Sequence, residues 1–152
     1  MSKNKKLPQA INMPKSIKEP RSAVTQSRLF KWRTQHSDLQ HTSWGWCCIE
    51  VEQLFNSVIV KLHDFETMEV KEMIGKNMLH TYSPEVIIKA AQKRLKELCN
   101  HSLLPEDLSE SELTAISLNN KQRIWGYLMR GTFYLLWWDP EHEIYPTKKR
   151  NT

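Results

Sequence analysis

The amino-acid sequence predicts an α+β domain in which two or three amphipathic helices pack on a C-terminal antiparallel β meander. Apolar residues recur with helical spacing between residues 50 and 98, and three strand-like runs follow between residues 114 and 138. A basic N-terminal arm that lacks apolar periodicity precedes both regions. With 152 residues, the chain has the size expected of one domain.

The arm comprises residues 1–28 and is rich in Lys, Ser, Asn and Gln. Such a segment cannot bury enough apolar surface to offset its ordering entropy, so we expect it to be disordered. Residues 29–150 then form a single α+β domain. Near its start, Trp44 and Trp46 alternate with glycine, which predicts a short strand with both indoles on one face.

Basic charge is concentrated at the two ends of the chain. Residues 1–34 hold nine basic side chains and one acidic side chain, whereas residues 35–147 hold ten basic and 16 acidic side chains. Lys148, Lys149 and Arg150 follow. A polyanion would therefore meet the tails before the folded body; the alternative is that the tails only increase solubility.

The first helix is predicted over residues 50–63, where the apolar side chains fall on one stripe. This stripe consists of Val51, Leu54, Phe55, Val58, Ile59 and Leu62. A second, shorter helix is predicted from residue 68 to residue 74, with Thr67 as its N-cap. The third should begin with Ser83 as N-cap and Pro84 at the first helical position, and should run to about residue 98.

The meander is predicted from three runs separated by turn-forming residues. The runs are 114–118, 123–128 and 132–138. Asn119-Asn120 separates the first two runs, and Met129-Arg130-Gly131 separates the last two. Asn and Gly at these places accept positive φ, which favours tight hairpin turns. Alternation within the last two strands predicts a sheet with one face on the helices. The residues expected on that face are Ile124, Gly126, Leu128, Phe133, Leu135 and Trp137.

Several classes of function lack their sequence signature. The three cysteines, Cys47, Cys48 and Cys99, show no C-x-x-C spacing, so we expect buried thiols and neither a disulfide framework nor a zinc site. No P-loop and no G-x-G-x-x-G motif occurs, so no cofactor is predicted. No apolar run is long enough to cross a membrane, and no signal peptide is evident, which predicts a cytoplasmic protein without membrane contacts.

The segment after the last strand combines a carboxylate, a histidine and a phenol within seven residues: Asp139, His142 and Tyr145. Histidine exchanges protons near neutrality, and cationic side chains stabilise a phosphodiester. One alternative is that Asp139 only forms the turn that ends the strand. Another is a metal site built from Asp139, Glu141, His142 and Glu143, although consecutive residues seldom converge on one ion. Of the six tryptophans, Trp138 is predicted to be the most exposed and available for stacking on bases.

Five stretches of the chain resemble a family of small prokaryotic proteins over residues 41–150. They are Trp44-Gly45-Trp46, residues 61–68, residues 91–98, Arg123-Ile124-Trp125-Gly126 and residues 135–142. The layout of helices followed by a β meander resembles the RelE/ParE/HigB toxin superfamily.

The resemblance implies a metal-independent endoribonuclease that cleaves mRNA at the ribosome, with the 2′-hydroxyl as nucleophile, and that an antitoxin inhibits. It implies Arg123 and Arg130 for phosphate stabilisation and His142 or Tyr145 for proton transfer. Nucleic acid would be held by Lys148, Lys149, Arg150 and Trp138. The alternative function is a non-catalytic module of a mobile element that binds nucleic acid or a protein.

Overall fold

The structure, a computed structural model, describes residues 28–146. Within that range the α+β class is confirmed, with three helices and a mixed sheet of five strands. The strands are β1 (Lys31–Arg33), β2 (Leu79–Tyr82), β3 (Leu113–Ser117), β4 (Arg123–Met129) and β5 (Thr132–Asp139). The helices are α1 (residues 51–65), α2 (Val70–Gly75) and α3 (Lys89–Asn100). The predicted arm lies outside the described residues except for Arg28.

The strands lie in the order β1-β5-β4-β3-β2. Strands β2 to β5 pair antiparallel, whereas β1 pairs parallel with β5. The predicted meander from β3 to β5 is confirmed, with bounds within one residue of those expected. The sequence analysis missed β1 and β2, which add one strand to each edge.

Helices cover both faces of the sheet, not one as predicted. Helix α3 and the 3-10 turn at Glu106–Glu110 cover the first face, which we call the α3 face. Its buried residues include Leu95, Leu98, Leu108, Trp125, Tyr127, Leu136 and Trp137. Helices α1 and α2 cover the second face of the sheet, which we call the α1 face. Its buried residues include Phe30, Val58, Leu62, Met73, Ile124, Phe133 and Trp138. Burial on both sides explains why β4 and β5 are almost continuously apolar.

Helix α1 contains a π-helical turn. Its segments are Val51–Gln53 (α), Leu54–Ile59 (π) and Val60–Phe65 (α). Within the predicted stripe, Val58 and Leu62 are fully buried, but Val51 and Phe55 are 71% and 57% exposed. A π-helical turn holds more residues than an α-helical one, so Val51 before it and Phe55 within it fall out of register with the buried positions that follow.

The predicted starts of the second and third helices are wrong. The Thr67 hydroxyl donates to the Asp64 carbonyl at the end of α1 (2.8 Å), and Glu69 is the N-cap of α2. Ser83 precedes a separate 3-10 turn at Pro84–Val86, and α3 begins only at Lys89. The α3 periodicity itself is confirmed, since Ala91, Leu95 and Leu98 are its buried residues.

One of the two predicted hairpin turns is confirmed. Between β4 and β5, Arg130 and Gly131 have φ values of 52° and 82°, as a two-residue turn with two left-handed positions requires. Between β3 and β4, residues 119–120 are not among the described residues with positive φ. There a longer loop closes with a hydrogen bond from the Leu118 N–H to the Gln122 carbonyl (3.0 Å).

Strand β5 contains a β-bulge at Leu136. Trp125 of β4 pairs with Trp137, but the next residue, Gly126, pairs with Leu135. Leu136 therefore has no partner in the ladder, and both Leu136 and Trp137 face α3.

The bulge reverses the side-chain alternation that the sequence predicts for the end of β5. Trp137 does not lie beside Phe133 and Leu135 but on the opposite face. Trp138 turns into the α1 face and is 3% exposed, so its predicted exposure is wrong.

Trp44 lies in a loop and Trp46 begins the 3-10 turn Trp46–Cys48 of the same loop, so neither is in the predicted strand. This loop lies against β5 at the bulge: the Leu136 carbonyl accepts from the Asp38 backbone N–H (2.9 Å) and the Trp46 indole (3.1 Å). The Trp138 N–H donates to the Trp44 carbonyl (2.9 Å). These contacts hold the loop against the part of β5 that extends beyond β1.

Asp38 connects this loop to α3. Its carboxylate is buried and accepts a bidentate pair from Arg94 (2.8 and 2.9 Å), a bond from the Trp137 indole (3.0 Å), and backbone bonds from Gln40 and His41 (3.2 Å each). Burial by itself raises the pKa of Asp38, but the bonds from Arg94 and its other donors bring the pKa below the usual value. The loop is thus fixed by a buried, ionised carboxylate.

None of the helices within residues 28–146 has both the length and the apolar character needed to cross a bilayer.

Candidate functional site

The turn after β5 is organised by the carboxylate of Asp139. This side chain is fully buried and accepts hydrogen bonds from the Trp125 indole (3.2 Å) and from the backbone N–H groups of Glu143 (2.9 Å) and Ile144 (3.1 Å). His142, between these contacts, has φ of 56°, a left-handed conformation in which histidine is enriched. Asp139 therefore fixes the backbone that carries His142.

Further contacts hold the segment that follows. The Ile144 carbonyl accepts from the Ile88 N–H (2.9 Å), and Ile144 is itself buried. The Tyr145 ring lies 4.5 Å from the ring of Tyr82 on β2. In the same segment, the Glu143 carboxylate accepts a hydrogen bond from the Trp44 indole (3.3 Å).

Arg123 lies at the first position of β4, directly opposite Asp139 in the ladder. Its guanidinium donates to the backbone carbonyls of Asn119, Asn120 and Gln122. Within residues 28–146 it forms no ion pair with a carboxylate. The carbonyls orient the guanidinium without neutralising it, so its charge can act on an anion.

His142 is half-buried beside this charge. Burial lowers the pKa of the imidazole, the positive charge of Arg123 lowers it further, and the Asp139 carboxylate opposes both effects. The net direction is downward from 6.5. At neutral pH the imidazole is therefore mainly uncharged and able to accept a proton.

Tyr82 lies beside Tyr145 and near Arg123, and the sequence analysis did not predict it as a site residue. It is half-buried, and its ring also lies 5.2 Å from that of Trp125. Burial and the neighbouring Tyr145 raise the pKa of the Tyr82 phenol, while Arg123 opposes the rise, so the phenol stays protonated at neutral pH. The available strand signal was the short run Met78-Leu79-His80-Thr81-Tyr82, bounded by Asn77 and Ser83-Pro84.

The structure brings together only some of the predicted site residues. Arg123, His142 and Tyr145 lie at the edge of the sheet where β4 begins and β5 ends. Together with Tyr82, we call them the His142 cluster. Arg130 is not part of it, because this residue lies in the turn at the opposite end of β4, roughly 20 Å away along the strand. The predicted nucleic-acid residues Lys148, Lys149 and Arg150 lie outside the described residues, and the buried Trp138 cannot stack on a base.

The alternative metal site is not assembled. Asp139 faces its three donors in the interior, and Glu143 contacts Trp44. Within residues 28–146, no group of three or more His, Cys, Asp or Glu side chains is arranged to hold a metal ion.

Arg130 instead belongs to a basic corner of the sheet, which we define as Arg28, Lys31, Arg33 and Arg130. The Arg28 guanidinium donates to the Arg130 carbonyl (3.1 Å), and the Lys31 N–H donates to the Gly131 carbonyl (3.4 Å). Lys31, Arg33 and Arg130 are exposed, and within the described range none of the three forms an ion pair.

No protein-family model, curated protein or solved structure matches this chain. Function is therefore inferred from the geometry of the described residues.

Proposed function

We propose that this protein is a RelE-like toxin, a cytoplasmic, metal-independent endoribonuclease that cleaves mRNA at the His142 cluster and is inhibited by an antitoxin. The observation that carries the proposal is a half-buried imidazole with a lowered pKa next to a guanidinium that no described carboxylate neutralises. A base and an uncompensated cation side by side are the minimum set for transfer within a phosphodiester.

In the proposed reaction, the neutral imidazole of His142 accepts the proton of the ribose 2′-hydroxyl. The 2′-oxygen then bonds to phosphorus, and the bond from phosphorus to the 5′-oxygen breaks. Arg123 stabilises the negative charge that develops on the phosphoryl oxygens. A phenol of the cluster, Tyr145 or Tyr82, donates the proton that the 5′-oxygen needs. The products are a 2′,3′-cyclic phosphate and a 5′-hydroxyl.

The basic corner supports RNA binding away from the cluster. Lys31, Arg33 and Arg130 present positive charge where the N-terminal residues join the sheet. Each phosphate contact of this kind contributes a salt-dependent increment to affinity and no sequence specificity. We therefore assign Arg130 to RNA binding and not to catalysis. The same observation favours the second candidate function, a module that binds nucleic acid without cleaving it.

Incubation of the full chain with translating ribosomes and a defined mRNA tests the proposal. We expect cleaved mRNA with cyclic phosphate ends in the presence of EDTA. His142→Ala and Arg123→Ala should abolish cleavage, whereas His63→Ala, which removes an exposed imidazole on α1, should not. Arg130→Ala should weaken RNA binding. It should also make the affinity fall less steeply with salt concentration than it does in the native chain.

The outcomes separate the candidate functions. Bound but intact mRNA at high protein concentration would refute the ribonuclease and favour the binding module. Cleavage that EDTA abolishes would indicate a metal nuclease instead.

A further inference from the structure

Cys47 and Cys48 are both exposed, which overturns the expectation that the thiols are buried. They are consecutive residues at the end of a 3-10 turn, and their sulfur atoms lie 3.8 Å apart. Cys99 lies on α3 and is half-buried, with its thiol directed to the Pro105 carbonyl (3.3 Å). The chain thus presents two adjacent thiols on its surface and keeps the third separate.

The backbone beneath the two thiols is fixed. The Cys47 N–H donates to the Leu39 carbonyl (3.2 Å), and the Cys48 N–H donates to the Gly45 carbonyl (3.0 Å). Trp46, the preceding residue, is anchored to β5 through its indole. A pair of sulfurs held on a rigid turn loses little conformational entropy when both bond to the same atom.

Their covalent geometry disfavours a stable disulfide. Consecutive Cα atoms lie about 3.8 Å apart across a trans peptide, whereas ordinary disulfides join Cα atoms about 4.4–6.8 Å apart. A direct bond between neighbouring cysteines is therefore strained and readily reduced. A single atom inserted between the sulfurs removes this constraint.

The number of ligands restricts which atom can be bound. Structural zinc requires four ligands, and no third His, Cys, Asp or Glu within the described range joins the pair. Sulfur ligands select soft, thiophilic centres. We propose that Cys47 and Cys48 form a dithiol site that binds one thiophilic centre, a soft metal ion or a trivalent metalloid, through both sulfur atoms. This site is independent of the ribonuclease proposal.

Phenylarsine oxide, a trivalent arsenical, is a suitable probe. Two sulfur–arsenic bonds form, two S–H bonds and the arsenic–oxygen bond break, and the two hydrogens leave with the oxygen as water, so no oxidant is needed. The hydrogen bond with Cys47 raises the pKa of the Cys48 thiol, so this sulfur stays protonated at neutral pH and its proton is among those that leave with the oxygen.

Intact-mass measurement of the reduced full chain tests the site. We expect the native protein and Cys99→Ser to retain one phenylarsenic unit in excess monothiol and to lose it to a dithiol. Cys47→Ser and Cys48→Ser should each weaken retention by about 10²–10⁴-fold, since the second bond is no longer intramolecular. Circular dichroism checks that each variant is folded.

Three results would overturn the proposal. One is release of the arsenical from the native protein by monothiol as fast as from Cys48→Ser. Another is loss of retention in Cys99→Ser. The third is a stable Cys47–Cys48 disulfide in the purified protein that resists mild reduction.

Discussion

Replacing Arg94 with methionine should strongly destabilise the fold, because it leaves the carboxylate of Asp38 buried without a counter-ion. The Asp38 side chain is 1% exposed, and Arg94 supplies two of its five hydrogen bonds. Hydrogen bonds to charged groups contribute about 1.5–3 kcal/mol each. Breaking a buried ion pair costs about 3–5 kcal/mol. We therefore expect the free energy of unfolding to fall by about 4 kcal/mol at neutral pH.

The loss should depend on pH in a defined direction. In the native chain the pKa of Asp38 is lowered, so its contribution to stability is present above the ordinary Asp pKa and is lost as the pH falls through the lower folded value. Without Arg94, burial dominates and raises that pKa, so the variant can protonate Asp38 and remove the unpaired charge. The stability difference should therefore shrink between about pH 7 and about pH 4.

Urea unfolding followed by tryptophan fluorescence at both pH values measures the difference. Lys93→Met is the matched control, because Lys93 is exposed on the same helix and forms no ion pair within residues 28–146. The double variant Asp38→Leu/Arg94→Met should recover part of the loss, since it leaves no unpaired charge. A loss below about 1 kcal/mol at pH 7 would contradict the central role of this pair, and so would a loss that is unchanged at low pH.

Three further predictions concern the sheet and the His142 cluster. Gly126→Ala should cost more than about 2 kcal/mol in chemical denaturation, because a Cβ there would lie 2.1 Å from the Tyr134 carbonyl oxygen; a neutral effect would refute the close approach. Tyr127→Phe should lower the free energy of unfolding by about 1–2 kcal/mol, because it leaves the Leu108 carbonyl without its donor (2.9 Å). Burial raises the pKa of the Tyr127 phenol, so alkaline absorbance titration of the variant should show one fewer tyrosine that resists ionisation. If His142 is the base, the cleavage rate should fall with decreasing pH through a midpoint below 6.5, since burial and Arg123 lower the pKa of the imidazole. A midpoint above pH 7 would exclude that role.

The elements that sequence reasoning found are those with a long periodic pattern. Helix α1 and strands β3 to β5 are each five or more residues long and rich in apolar side chains, so their bounds were close, although the π-helical turn and the bulge changed which side chains face the core. Strands β1 and β2 contain three and four residues and were missed. Both are edge strands that depend on pairing with a neighbour, and a single sequence carries little trace of such pairing.

The candidate site was predictable in its chemistry but not in its membership. The run from Asp139 to Tyr145 identified the tail because titratable groups are dense there. Tyr82 joins that tail only through the crossover that places β2 next to β3, and no local pattern reveals a contact between residues 82 and 145. The family resemblance implied the same phosphate-binding role for Arg123 and Arg130, but the two arginines lie at opposite ends of β4.

The roles of the loop residues 38–48 depend on tertiary contacts in the same way. The Trp44-Gly45-Trp46 alternation resembles a strand, yet the loop follows the bonding groups that the bulge exposes at Leu136. The exposure of Cys47 and Cys48 follows from that anchoring, because the indole of Trp46 takes the inward position.

The unpaired Leu136 also affects how relatives of this chain should be compared. The first half of β5 and the segment carrying His142 follow opposite inward–outward registers, so one residue gained or lost at this point would exchange the surroundings of Trp137 and Trp138. An alignment guided only by alternating hydrophobicity would place a gap there and shift Asp139 and His142 by one position. Alignments of homologues should therefore be anchored on the buried Asp139 and its indole donor Trp125. In a sequence where that pair is displaced by one residue, we expect a different side chain at the place that His142 occupies here.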